Sequence, residues 1–110
     1  MNNIVMRSGI IQATFKVQYL NLVLDMLKVH NVPVKYECAV LIDGHVYPSV
    51  WACGEGEEAF LLFQTPSMAR RGEFTILGDK TNDICMRTIR MVRGMIIDEA
   101  KVGHYITPYF

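Results

Sequence analysis

The sequence predicts an α+β domain: an antiparallel sheet of about four strands packed with two long helices, in the order α-β-β-β-(short α)-β-α with a possible C-terminal strand. Three observations lead there. The polar residues Thr14, Gln18, Asn21, Asp25 and Lys28 recur at steps of four, three, four and three, the spacing of one helical stripe. Asp43-Gly44 lies between two apolar runs, the signature of a two-residue hairpin turn. Cys85, Ile89, Val92, Ile96 and Ala100 draw the apolar stripe of a second helix, with Asp83, Arg87, Arg90, Asp98 and Lys101 on its opposite face.

The first helix is expected over residues 13–30, although the alternation of residues 13–19 also suits a strand. Pro33 ends it, because proline biases Val32 away from helical angles. Its apolar surface is wider than one sheet face would cover, which points to burial on a second side and hence to a homo-oligomer. The Asp43-Gly44 turn sets Ile42 opposite His45, Val40 opposite Tyr47, Cys38 opposite Ser49 and Tyr36 opposite Trp51. All of these share one side of the ribbon, the side expected to pack on the core. Pro48 cannot donate a ladder hydrogen bond, which places an edge or a bulge there.

The run AFLLFQ reads as a buried third strand, and EFTIL as a fourth. Between them, Thr65 is a candidate N-cap, Pro66 fits the first helical position and Gly72 a left-handed stop, which together describe a short helix. The second long helix is expected over residues 83–101, stopped by Gly103. The tail HYITPYF is a candidate strand or cover for an apolar surface.

A chain of 110 residues, 51% of them hydrophobic, fits one domain spanning residues 1–110. With 11 basic and 11 acidic residues it has no net field to draw nucleic acid or an anionic membrane, and nucleic acid is not an expected partner. Asn21, Asp25 and Lys28 interrupt the most apolar segment well before the roughly 20 residues that a membrane span needs. No membrane association is expected. The N-terminus lacks a secretory pattern, and three cysteines without CxxC spacing suit a reducing compartment, so a cytoplasmic location is expected.

Gly54, Gly56 and Ala59 match GxGxxG/A, but Glu55, Glu57 and Glu58 would repel a pyrophosphate and a strand follows where that motif needs a helix. A hairpin turn is the better reading. Those glutamates also belong to a stretch, residues 36–69, with five acids and no lysine or arginine, so they are candidates for contact with a basic partner. His30, His45 and His104 are scattered, and neither they nor Cys38, Cys53 and Cys85 have metal-ligand spacing; no metal or cofactor is expected. His45 and Ser49 stand too far apart on one strand face to share a hydrogen bond, so no catalytic group is assigned. The cysteines fit apolar positions and are expected to be buried and inert.

The most unusual local feature is the set Arg70, Arg71, Arg87, Arg90 and Arg93 in a neutral chain. Cations early in the second helix oppose its macrodipole, so helix stability does not account for them. The guanidinium fork grips phosphate or carboxylate with paired hydrogen bonds, and Ser67 and Thr88 are nearby neutral donors. The leading expectation is a non-catalytic protein binding a small phosphate-bearing ligand, most plausibly a nucleotide, at these seven residues, with Tyr36, Tyr47 or Trp51 able to stack on a base. The alternative is a protein-interaction module or inhibitor, of the size of a bacterial or phage accessory protein, that uses Glu55, Glu57, Glu58 and an apolar helix surface. A small enzyme ranks third. Convergence of the guanidinium groups on one concavity favours the ligand; an apolar patch beside the acidic loop favours the partner protein.

Overall fold

The computed structural model describes residues 2–4, 8–37, 40–42, 44–47, 50–56 and 59–106. In chain order these form strands β1 (Asn2–Ile4) and β2 (Ile10–Lys16), a 3-10 turn (Val17–Tyr19), helix α1 (Leu20–Val29) and strands β3 (Val34–Glu37), β4 (Val40–Ile42), β5 (His45–Tyr47), β6 (Val50–Cys53) and β7 (Phe60–Phe63). Helix α2 (Pro66–Arg71), strand β8 (Glu73–Asp79) and helix α3 (Asp83–Ile106) complete them. The class is α+β, as the pattern requires. The main sheet is five-stranded and antiparallel throughout, in the order β2-β8-β7-β6-β3. A separate three-stranded sheet, β1-β4-β5, pairs β1 parallel to β4.

The chief departure from expectation is residues 13–16, which with residues 10–12 form a strand rather than the start of a helix, the alternative their alternation had also allowed. Ile11, Ala13 and Phe15 turn inward while Gln12, Thr14 and Lys16 turn out, a period of two. The polar stripe seen in the sequence therefore crosses three elements: Thr14 belongs to β2, Gln18 to the 3-10 turn, and only Asn21, Asp25 and Lys28 to α1. Seven residues of β8 pair with β2, from Ile10↔Asp79 to Lys16↔Glu73, and that ladder outweighs the helical periodicity. A cross-strand hydroxyl pair, Thr14 to Thr75 at 2.8 Å, reinforces it. The strand adds a fifth member to the sheet and shortens the first helix to ten residues. It also removes Phe15 from the helical surface that had suggested a homo-oligomer.

The hairpin register is as the turn dictates: Ile42 pairs with His45, Val40 with Tyr47 and Tyr36 with Trp51. Gly44 takes φ +83°, the left-handed angle the turn needs. Cys38, Asp43, Pro48 and Ser49 lie outside the described residues. The ribbon does not, however, present one side to the core. Trp51 packs with the cluster under the long helices, whereas Tyr47 packs on the opposite face of the sheet against Phe63, ring centroids 4.9 Å apart.

The caps of α2 follow the sequence. Thr65 Oγ1 accepts from the Met68 N–H, Pro66 opens the helix, and Gly72 closes it at φ +66°. Helix α3 is capped by Asn82, whose side-chain oxygen accepts from the Cys85 N–H at 3.0 Å. It then runs to Ile106, straight through Gly103, so the expected stop is absent and residues 104–106 are helical rather than a strand. Residues 107–110 lie outside the described ones. At about 1.5 Å per residue α3 is about 36 Å long, while β8 at about 3.3 Å per residue spans about 23 Å, so the helix outruns the sheet beneath it. Cys85, Ile89 and Val92 are accordingly buried, and Ile96, Ile97 and Ala100 exposed.

Two apolar clusters fill the two faces of the main sheet. Phe15, Phe60, Leu62, Phe74 and Ile76 pack under α1 and α3 with Val23, Leu27, Cys85, Ile89 and Val92. Val50, Ala52, Leu61, Phe63 and Leu77 occupy the other face with Met68 of α2 and Tyr47. Gly78 lets α3 approach: a Cβ there would stand 2.6 Å from Cys85 Sγ and 3.0 Å from Phe60 Cβ. At the far end Tyr19 donates its hydroxyl to Glu99 Oε2 at 2.5 Å, tying the start of α1 to α3.

Candidate functional site

The alternation of β8 decides where the arginines go. Thr75 and Leu77 face α2, with Thr75 Oγ1 3.2 Å from Met68 Sδ, whereas Phe74, Ile76 and Gly78 face α3. Arg70 and Arg71 on α2 are thus separated by the sheet from Arg87, Arg90 and Arg93 on α3. All five are exposed. Arg71 Nε donates to Glu73 Oε1 at 2.7 Å and its Nη1 to Ser67 Oγ, so Ser67 and Arg71 meet each other within one short helix. Arg87 Nε pairs with Asp83 Oδ2 at 2.9 Å, one helical turn away. Thr88 is buried and its hydroxyl donates to the Ile84 carbonyl at 2.8 Å. The structure does not bring the five guanidinium groups into one concavity.

Among the described residues two cavities flank α1 instead, and Val32 contributes to the wall of both. The larger, about 560 Å³, lies between α1 and the β3–β6 end of the sheet. Leu24, Val32, Pro33, Val34 and Trp51 supply its apolar lining, and Asp25, Lys28 and Asn31 its polar rim. Tyr36, opposite Trp51 in the ladder, stands edge-on to it with ring centroids 5.5 Å apart and is 56% exposed. Asn31 adopts φ +60°, a left-handed angle that asparagine tolerates, and it turns the chain from α1 into the groove wall. The Gly54 N–H donates to the Pro33 carbonyl at 2.8 Å, which anchors the start of the acidic loop to this wall. Glu55 is exposed; Glu57 and Glu58 lie outside the described residues.

The smaller cavity, about 300 Å³, separates α1 from α3 and is lined by Met26, Leu27, His30, Val32, Ile84, Arg87 and Thr88. Of the seven residues expected to bind an anion, Arg87 and Thr88 line it together.

The two described thiols offer no nucleophile here. Cys53 and Cys85 are fully buried, and burial pushes each thiol up to about 12, helped by the neighbouring Cys85 for the first and Asp79 for the second. Neither forms thiolate at neutral pH. Tyr19 is raised above its ordinary value by its hydrogen bond to Glu99, with burial adding to the effect. Among the described residues no three of His, Cys, Asp and Glu gather as metal ligands, and no helix is long and apolar enough to cross a membrane.

No family model matches the sequence, and no curated protein or solved structure is significantly similar to it. The site must therefore be read from its own geometry. Sequence reasoning had picked out Trp51 and Tyr36 and their register, but not Leu24, Lys28, Val32 or His30. Their roles depend on where α1 ends, and the Asn31–Pro33 connection was the available signal.

Proposed function

We propose that this protein is a non-catalytic protein-interaction module whose docking surface is the aromatic-walled groove beside α1, extended by the loop that carries Glu55. The supporting observation is the conjunction of three things at one place. A cavity of about 560 Å³ has Trp51 in its wall, a half-exposed Tyr36 stacks edge-on against that ring, and an acidic loop is hydrogen-bonded to Pro33 at its margin. Aromatic anchors in desolvated pockets dominate interface energetics, and acidic groups at the rim steer basic partners. The fitting partner is a peptide segment with one apolar anchor flanked by lysine or arginine. An anionic small molecule is the second reading, favoured by the shared position of Arg87 and Thr88 in the α1–α3 cleft.

Trp51 is the only tryptophan in the chain, so its fluorescence reports on the groove directly. Selection of displayed peptides on the parent protein is expected to enrich an apolar residue beside basic ones, and the winners to shift Trp51 emission on binding. The double substitution Tyr36→Ala and Glu55→Gln, at two exposed positions, is expected to weaken those peptides at least tenfold while leaving the melting temperature within a few degrees. Peptides that bind the double variant as tightly as the parent, or that leave Trp51 emission unchanged, would remove this groove from consideration.

A further inference from the structure

We infer that the cleft between α1 and α3 is a binding site for a small organic acid: a short apolar body with a single anionic head. Met26, Leu27, Val32 and Ile84 give the cleft apolar walls, and His30 and Arg87, which carry nitrogen donors at their tips, also line it from two elements far apart in sequence. Arg87 uses Nε on Asp83, which leaves the N–H groups of its two terminal nitrogens for a ligand carboxylate. Asp83 is the acidic group at this end of α3, and its side chain is two-thirds exposed, so solvent screens its repulsion of a second anion. The first turns of α3 add their own preference for negative charge, since the positive end of the helix dipole lies there.

Size selects the ligand class. At about 300 Å³ the cleft sits at the lower limit of small-molecule pockets, and its lining includes one arginine and one histidine. A nucleotide with several phosphate charges needs more of both. A carboxylate on a short aliphatic or aromatic body fits the volume and the donors, and Met26, with its unbranched thioether, can adjust to the body's shape.

The test uses the full chain labelled at the methionine methyl groups, with the Met26 resonance assigned by Met26→Leu. Hexanoate is the probe, 1-hexanol controls for apolar filling and inorganic phosphate for charge alone. Hexanoate is expected to shift the Met26 methyl saturably, with both controls at least tenfold weaker. Arg87→Ala, which changes an exposed side chain, should weaken hexanoate by about tenfold, the loss of one charge-assisted hydrogen bond, and Arg87→Lys should recover part of it. An unmoved Met26 methyl at tens of millimolar hexanoate overturns the assignment. So does 1-hexanol or phosphate equal to hexanoate, or an Arg87→Ala variant that binds hexanoate like the parent.

Discussion

The two faces of the main sheet are closed by unlike means. One lies beneath α1 and α3 and carries four aromatic residues, Phe15, Trp51, Phe60 and Phe74, in a continuous cluster with Tyr19 and with aliphatic side chains of both helices. The other is covered, among the described residues, by Met68 of a six-residue helix, by Tyr47 from the hairpin and by Ala59. Long helices supply repeated apolar positions every three or four residues; a six-residue helix supplies one. The first face is thus the one braced by long helices, and the two cavities found among the described residues lie on it, beside α1, where helix and sheet part company at Val32 and Pro33. The second face sets apart two of the five arginines.

The strongest test of this asymmetry is truncation of one phenylalanine on each face. Phe74 is fully buried beneath the helices, and Phe74→Ala should cost about 3 to 5 kcal/mol. Phe63, buried and tilted against Tyr47, should fall at or below the lower end of that range, and Met68→Ala, at a half-buried position, below about 2 kcal/mol, because a six-residue helix and a hairpin can settle into the space. Urea denaturation measures all three. Equal losses for Phe74→Ala and Phe63→Ala would show that the second face is as rigidly closed as the first.

A methyl group added at Gly78 probes the same face from the opposite direction. It would enter where Cys85 Sγ and Phe60 Cβ already stand within 3.0 Å, so Gly78→Ala should destabilise by about 1 to 3 kcal/mol through overpacking. Cys85→Ala removes the closest atom, and the two substitutions together should cost less than their sum. Simple additivity in the double-mutant cycle would mean that α3 shifts to admit the methyl group, and that its seat on β8 is looser than the close approach implies.

The same face should carry a sensitivity to alkali. Both described thiols lie in its cluster, and burial raises each above its ordinary value to about 12. Between about pH 9 and 12 the unfolded chain loses these protons while the folded chain retains them, so stability is full below pH 9 and declines as pH rises through that window. By pH 10 the decline should be on the order of 1 kcal/mol for each thiol. Replacing Cys53 and Cys85 by Ala should flatten the curve. Rapid alkylation of either cysteine in the native protein at pH 8, mapped by mass spectrometry, would contradict the burial on which this rests.

How much of this was legible in the sequence varied with the range of the interaction that decides it. The α2 caps at Thr65, Pro66 and Gly72 and the pairings around Gly44 are local, and they stand where the residues placed them. The strand at residues 10–16 was legible only as an alternative, in the alternation from Ala13 onward, because the partner that decides for it, β8, pairs with it across 57 to 69 residues of chain. Gly103 could not act as a stop in a helix that continues beyond the sheet. For the candidate site, the residue types were visible but not their distribution. The arginines cluster in sequence, yet β8 and its two-residue alternation divide them in space. The grooves beside α1 depend on the end of that helix, and the helix boundary is what the overlapping periods of residues 13–30 obscured.

The smallest expected effects come from the arginines themselves, one on each side of the sheet. Arg71 bonds Glu73 and Ser67, and Glu73 is mostly screened from solvent, with Lys16 also 3.9 Å from its second oxygen. Arg87 has a single turn-to-turn pair with Asp83 in which both side chains are largely exposed. Exposed pairs of this kind contribute about 0.3 to 0.5 kcal/mol, and salt weakens them. Arg87→Ala should accordingly lower the melting temperature by no more than a few degrees at low ionic strength and leave it unchanged in 0.5 M salt, where ~4 Å of screening length remains. Arg71→Ala should cost somewhat more, up to about 1 kcal/mol, because its partner is held by the strand and its network has a third member. A large, salt-insensitive loss in Arg87→Ala would place its aliphatic stem in the packing of the α1–α3 cleft, and the hexanoate titration would then have to rest on Arg87→Lys, which keeps the stem and the charge and removes only the fork.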